Sequence, residues 1–266
     1  MEKIAPSVYE QIDNEVYKAQ GDTWWKPDAV LHLLKTSINP WRVGYAINVL
    51  KSLNFDPTGK TALEVGSGGG ILTEEICKMG FTTTGIDPAA TSVQTAANHA
   101  RATGLSITYD HGSGEQLPYA DQSFDCVFCC DVLEHVRDLP KVFSEISRVL
   151  KPGGLFIYDT LNRTFISNLV AIKIWQEWKR WAFMPPNTHV WKMFIKPKEI
   201  KTLLAANGFE WKNHTGSQPN VSIPTMLTYL RKRVKGEWTI ADLGKNFRLV
   251  ESTDMNILYG GYAIKK

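Results

Sequence analysis

A short apolar run, Thr61-Ala-Leu-Glu-Val65, breaks into the glycine-rich Gly66-Ser-Gly-Gly-Gly70, and Leu72, Ile76 and Met79 then fall on one helical face. A strand that passes through glycines into a helix is the opening unit of a parallel α/β sheet. Glycines at that turn allow positive φ and let backbone N–H groups approach a ligand closely. The next predicted strand, Phe81 to Ile86, runs into Asp87, 21 residues beyond Gly66. A carboxylate there can accept hydrogen bonds from both ribose hydroxyls of an adenosine-type cofactor.

The alternation continues. A helix is predicted over Ser92–Arg101, strands over Ile107–Tyr109 and Phe124–Cys130, a helix over Leu139–Leu150 and a strand over Leu155–Tyr158. This pattern predicts an α/β fold, a doubly wound, mostly parallel sheet with helices on both faces. The first 60 residues read as helical, with Asn39-Pro40 as the start signal of a second helix, Asn39 its cap. After Arg163 a helical insertion is predicted, then a helix over Lys198–Asn207 and closing strands near Phe209–His214 and Ile257–Ala263. The expected organisation is a helical cap over 1–58 and a cofactor-binding domain over 59–266, with the insertion at about 163–197.

Hydrophobic residues at 43% and charged residues at 21% exclude a disordered chain. No apolar run reaches 18 residues, and the N-terminus lacks an apolar signal core, so neither a membrane span nor a secretory signal is expected. Cys126, Cys129 and Cys130 crowd into one predicted strand without partners at zinc spacing, so they read as buried small side chains in a reducing, cytoplasmic setting. A net charge of +3 argues against a nucleic-acid partner.

The loop also restricts the cofactor. A dinucleotide fingerprint needs glycine where Ile71 stands, and no Lys-Ser/Thr follows to make a phosphate-cradling loop. Glu64, two places before the first glycine, instead suits a cationic cofactor without phosphate. S-adenosylmethionine has those properties, a sulfonium and an α-amino group.

Taken together, the glycine loop, Asp87, Phe124-Asp125, Asp131-Val-Leu-Glu-His135 and Leu150-Lys-Pro-Gly-Gly154 resemble the successive motifs of class I S-adenosylmethionine-dependent methyltransferases. Trp24-Trp25, Ile38-Asn-Pro-Trp-Arg42, Thr160-Leu-Asn-Arg163, Thr188-His-Val-Trp191 and Phe194-Ile-Lys-Pro197 narrow the resemblance to the ubiquinone-biosynthesis O-methyltransferase family. That resemblance implies a Rossmann-like sheet of seven strands and O-methylation of a phenolic or catechol hydroxyl on a polyprenyl hydroquinone. The alternative is O-, N- or C-methylation of another small metabolite, because acceptor choice resides in loops. A cofactor-binding protein without turnover is the reading from a different class.

The resemblance further implies that Arg42 holds the cofactor carboxylate, that Gly66 lines its methionine portion, that Asp87 takes the ribose and that Cys130 contributes its backbone. Glu64 and Gly68 complete the loop. Many class I enzymes place an acidic residue near Ser113 for the adenine amino group; here Ser113, Gly114 and Glu115 must serve between them.

A phenol ionises near pH 10, so a base or metal would aid its methylation at pH 7. If a helix begins at Asp131, then Asp131, Glu134 and His135 share one face, and the trio suits Mg²⁺ or another divalent cation. His135 alone suits a base or a packing role. His189, in a loop after the fifth strand, is the second candidate base, or a residue that orders a lid. In the insertion, Ile166, Val170, Ile174, Trp178 and Trp181 form a stripe, and 163–184 carries Arg163, Lys173, Lys179 and Arg180 against Glu177 alone. Such a segment suits peripheral contact with the inner membrane surface, a plain lid or a dimer contact. Tyr229-Leu-Arg-Lys-Arg-Val-Lys235 is a second basic stretch.

Overall fold

A computed structural model describes residues 6–12 and 14–266. Its strands are β1 (Thr61–Val65), β2 (Thr82–Asp87), β3 (Ile107–His111), β4 (Phe124–Cys130), β5 (Leu150–Leu161), β6 (Phe209–Pro219), β7 (Leu249–Ser252) and β8 (Leu258–Lys265). Its α-helices are α1 (Pro6–Tyr9), α2 (Glu15–Ala19), α3 (Asn39–Ser52), α4 (Ile71–Lys78), α5 (Ala90–Ala102), α6 (Leu139–Val149), α7 (Phe165–Ser167), α8 (Pro197–Ala206), α9 (Ile223–Val234) and α10 (Ile240–Asn246). π-Helical turns occupy Leu34–Ile38 and Asn168–Glu177.

The strands form one sheet in the order β3-β2-β1-β4-β5-β8-β6-β7. β1 to β5 pair in parallel, while β8 runs antiparallel between β5 and β6. The expected seven strands are therefore eight. The extra one is β7, which pairs with the part of β6 that extends past β8.

Both faces of the sheet are covered. α6 buries Leu139, Val142, Phe143, Ile146 and Val149, a helical period that turns one side to the sheet. Asp138 caps it by accepting from the Lys141 backbone N–H at 3.0 Å. On the other face Tyr45, Ala46, Val49 and Leu50 of α3 join Leu72, Ile76 and Phe128 in a second core, so α3 packs as part of the sheet's own interior. Asn39 is the first residue of that helix and not its cap, because the preceding π-helical turn runs directly into it.

Strand direction decides where chemistry collects. β1 to β6 all finish at one edge, at Val65, Asp87, His111, Cys130, Leu161 and Pro219. The glycine loop leaves from that edge, and so do the connections 162–196 and 220–248. Open α/β sheets bind their ligands there.

Phe143 is fully buried and lies edge-on to Phe156 with centroids 5.7 Å apart. Phe143→Ala is expected to cost about 3–5 kcal/mol in urea unfolding. A loss below about 1 kcal/mol would mean that this layer collapses around the cavity.

Candidate active site

The glycine loop is a tight cradle. Gly66, Gly68 and Gly70 have φ of +76°, +49° and +83°, a region that other residues adopt only at a cost. A Cβ on Gly66 would lie 2.2 Å from Val132. Asp87 is 8% exposed and braces this loop, accepting from the N–H of Gly68 at 2.8 Å and of Ala89 at 2.8 Å. Glu64 is buried at the end of β1 and accepts from the Thr73 hydroxyl. Burial pushes its carboxyl up to about 8, although Thr73 and Arg42 oppose the rise.

The chain before β1 lies across the loop. The Trp24 indole stands against Gly68 and Gly69, whose added Cβ atoms would fall 2.6 and 2.2 Å from the ring. Its Nε1 donates to Ser92 Oγ at 2.9 Å. Trp25 Nε1 donates to the Gly69 carbonyl at 2.8 Å, and the ring stacks on His99 with centroids 3.4 Å apart.

Arg42 links α3 to the ends of β4 and β5. Its Nε and Nη2 grip the Asp159 carboxylate at 2.7 and 2.8 Å, and Nη2 also meets Asp131 at 2.6 Å. Asp159 Oδ1 in turn accepts the Asp131 backbone N–H at 3.1 Å. Burial works to raise the Asp131 carboxyl, but Arg42 outweighs it and holds the group below the usual range. The guanidinium expected to face the cofactor carboxylate is thus engaged with two of the protein's own. Cys130 lies buried beside this network, and burial pushes its thiol well up. Ser113 donates to Glu115, which also accepts the Arg137 N–H at 2.9 Å, and Gly114 is packed against Val65.

The expected helix at Asp131 does not form. Residues 131–138 are turns, α6 starts at Leu139, and Asp131 has a φ of +55°. Asp131, Glu134 and His135 consequently point to three different partners. Asp131 meets Arg42; Glu134 accepts from Thr160 Oγ1 at 2.8 Å and from the Leu161 N–H at 3.3 Å; His135 Nδ1 lies 3.3 Å from Asn14 Oδ1. Among the described residues no three His, Cys, Asp or Glu side chains gather as a metal site, so the expected metal trio is corrected: it is not a preformed ligand set.

His135 instead meets His189, with ring centroids 5.0 Å apart. Asn14 Nδ2 donates to the His135 carbonyl at 3.1 Å, so its Oδ1 faces His135 Nδ1 and assigns the ring proton there. Among the described residues, neither His135 Nε2 nor His189 Nδ1, both buried, has a hydrogen-bond partner. Burial lowers the two imidazoles to about 3 and about 4, so both are neutral at pH 7. Gln176 fixes the second: its Oε1 accepts the His189 N–H at 2.6 Å and its Nε2 donates to the His189 carbonyl at 3.1 Å. Tyr17 stands edge-on to His135 at 5.5 Å, stacked with Trp24.

Asp159, Tyr17, Asn14 and Gln176 are the residues that sequence reading missed. Asp159 had a signal, a carboxylate ending the buried run Leu155-Phe-Ile-Tyr158. The other three had none, because only the folded chain brings them to the edge.

A glycine cradle braced by Asp87 at the carboxyl edge of this sheet defines a class I S-adenosylmethionine-dependent methyltransferase. The methyltransferase-domain family model matches residues 63–158. The chain is 37% identical over 251 residues to the ubiquinone biosynthesis O-methyltransferase of a Caulobacter species, covering 90% of this chain and 92% of that one. With the protein of that name from Rhizobium etli it shares 32% over 223 residues, or 81% and 89% of the two chains. A SAM-dependent methyltransferase structure from Aquifex aeolicus shares the fold, with a TM-score of 0.54 at 15% identity, covering 99% of this chain and 100% of that one. The chain belongs to the ubiquinone biosynthesis O-methyltransferase family.

Arg42→Ala leaves Asp131 and Asp159 facing each other without a cation. A loss of about 3–5 kcal/mol in urea unfolding is expected, and an unchanged midpoint would show that water or another group replaces the guanidinium.

Proposed function

We propose that this enzyme methylates a phenolic oxygen of a catechol or hydroquinone, and that His135 and His189 receive the acceptor hydroxyls. The carrying observation is the pair of neutral imidazoles, each with a buried nitrogen that has no partner among the described residues. A buried lone pair without a donor is costly, and a phenolic O–H supplies one. Two adjacent hydroxyls could satisfy both rings. The family name of the relatives fits an acceptor of the quinol type carrying an isoprenoid tail.

The residues present fit S-adenosylmethionine: a cradle that a side chain would fill, a braced carboxylate for ribose at Asp87, and acid groups for a cation at Glu64 and Asp131. Bound there, the cofactor supplies a methyl group already activated as a sulfonium. Gly66 and Gly68 would line it, with Cys130 and the Ser113–Glu115 turn at its flanks. Arg42 acts by fixing Asp131 and Asp159. His135 Nε2 or His189 Nδ1 takes the proton that the acceptor oxygen gives up, with Asn14 holding the His135 ring and Gln176 the His189 backbone for that task. The stretch before β1, with Trp24 against the loop, serves as the cap that keeps water from the reaction. A divalent cation enters this reading only with ligands brought by the acceptor; parallel assays in Mg²⁺ and EDTA read that directly.

Phe165, Ile166 and Trp178 are 79%, 43% and 49% exposed, with Lys179 and Arg180 beside them. We read the 163–184 insertion as a peripheral contact with the inner membrane surface, where a tailed acceptor resides. Labelled-methyl transfer to tailed and tailless quinols and catechols tests the acceptor. Label on amines alone would move the enzyme to another reaction.

His189→Ala should lower kcat by about 10²-fold or more while calorimetric cofactor affinity stays unchanged. A normal rate would remove His189 as the base. A second expectation concerns Glu64. If it receives the cofactor's cationic amino group, binding must ionise a carboxyl that is largely protonated at pH 7. Affinity should then rise about tenfold between pH 7 and 8.5, with proton release seen as a buffer-dependent binding enthalpy. Glu64→Gln should abolish the release; release that persists in this variant would place the titrating group elsewhere.

A further inference from the structure

The connection from β6 to β7 carries a helix that the catalytic reading does not use. None of the 12 residues of α9 is buried. Ile223, Leu227 and Val234 are 69%, 40% and 39% exposed, and Met226 and Leu230 are half-buried. At 3.6 residues per turn these five fall within an apolar stripe about 100° wide, with exposed Arg231 roughly 80° to one side of Ile223 and half-buried Arg233 roughly 80° to the other. Lys232 rests over the Trp238 ring at 4.8 Å, and Tyr229 packs on the same ring at 4.7 Å. Lys235 meets Glu237 at 3.7 Å, which leaves the run strongly basic.

The next helix behaves differently. α10 buries Ile240, Leu243 and Gly244. Gly244 approaches Thr36 so closely that a Cβ would lie 2.2 Å from its hydroxyl. α10 therefore fastens the connection to the body of the protein while α9 keeps its apolar stripe in the open.

Location completes the case. The connection leaves the sheet at Pro219, on the carboxyl edge that also carries the 162–196 connection. The exposed large apolar side chains of the described residues are Phe165, Ile166, Trp178, Ile223, Leu227, Val234 and Val250, all in those two connections or in β7 beside them. An exposed apolar stripe on α9 bordered by the exposed Arg231 and Lys235 matches the headgroup boundary of an anionic bilayer. There the stripe enters the acyl region while the basic side chains meet lipid phosphates.

We propose that α9 is a docking helix for an anionic lipid surface, a contact separate from the one assigned to the 163–184 insertion. Lipid binding is read without turnover, so failure here is distinguishable from failure of the acceptor reading.

The test is sedimentation of the full chain with vesicles of phosphatidylcholine alone or with 30% phosphatidylglycerol. Three variants accompany it: I223S/L227S/V234S, R231Q/K232Q/R233Q/K235Q, and F165S/W178S in the insertion. The stripe variant should weaken binding to the anionic vesicles at least tenfold. The charge variant should abolish the preference for phosphatidylglycerol. Both should keep the wild-type rate on a tailless catechol, which shows that they fold. Wild-type binding in both α9 variants would overturn the proposal, the more clearly if F165S/W178S alone detaches. So would a wild-type chain that ignores vesicles but is dimeric by light scattering and becomes monomeric in the stripe variant, since the face would then join two copies.

Discussion

One guanidinium holds the catalytic edge together. Arg42 reaches from α3 to Asp159 at the end of β5 and to Asp131 just past β4, at distances of 2.6–2.8 Å. Without it, two carboxylates would share a buried pocket, and like charges so placed cannot both stay ionised. The network also sets the backbone. Asp131 adopts a left-handed φ of +55°, a conformation of the kind that persists only where surrounding contacts over-determine it. Here the contacts are the Arg42 ion pair on its side chain and the Asp159 carboxylate on its N–H. That single turn prevents a helix at Asp131 and sends Glu134 inward and His135 across to Asn14 and His189.

Burial then sets the chemistry of each group separately. The same removal of water leaves His135 and His189 neutral and drives Glu64 toward protonation. Asp131 keeps its charge because a cation touches it. A neutral imidazole pair, a proton-holding acid and an ionised acid thus coexist at one sheet edge, each with a different local cause.

The alternation of strands and helices and the identity of the glycine loop were legible because they rest on local periodicity and local backbone demands. Val142, Phe143 and Ile146 fall on one side of α6 whatever lies opposite. The two histidines were legible as candidates but not as a pair, since 54 residues separate them in the chain and only the Asp131 turn and the Gln176 clamp bring their rings to 5.0 Å. The metal trio's spacing presumed a helix, and the chain at Asp131 turns with a φ of +55° instead. β7 and α10 went unread: β7 is four residues long, and α10 gains its buried face from Thr36 and its neighbours, far off in sequence.

The division of labour follows from strand direction. Six strands deliver their ends to one edge, and the loop that fits the cofactor, the histidine pair and both long connections are all anchored there. The 162–196 connection buries Ala171, Ile172, Phe194 and Ile195 against the body, while the cores on the sheet's two faces rest mainly on α3, α4, α6, α8 and the strands. With those residues anchoring the first connection and α10 the second, Phe165, Trp178 and Ile223 stand outward. The reacting groups thus sit at the polar edge of the sheet while the exposed apolar side chains lie in the connections around it or in β7.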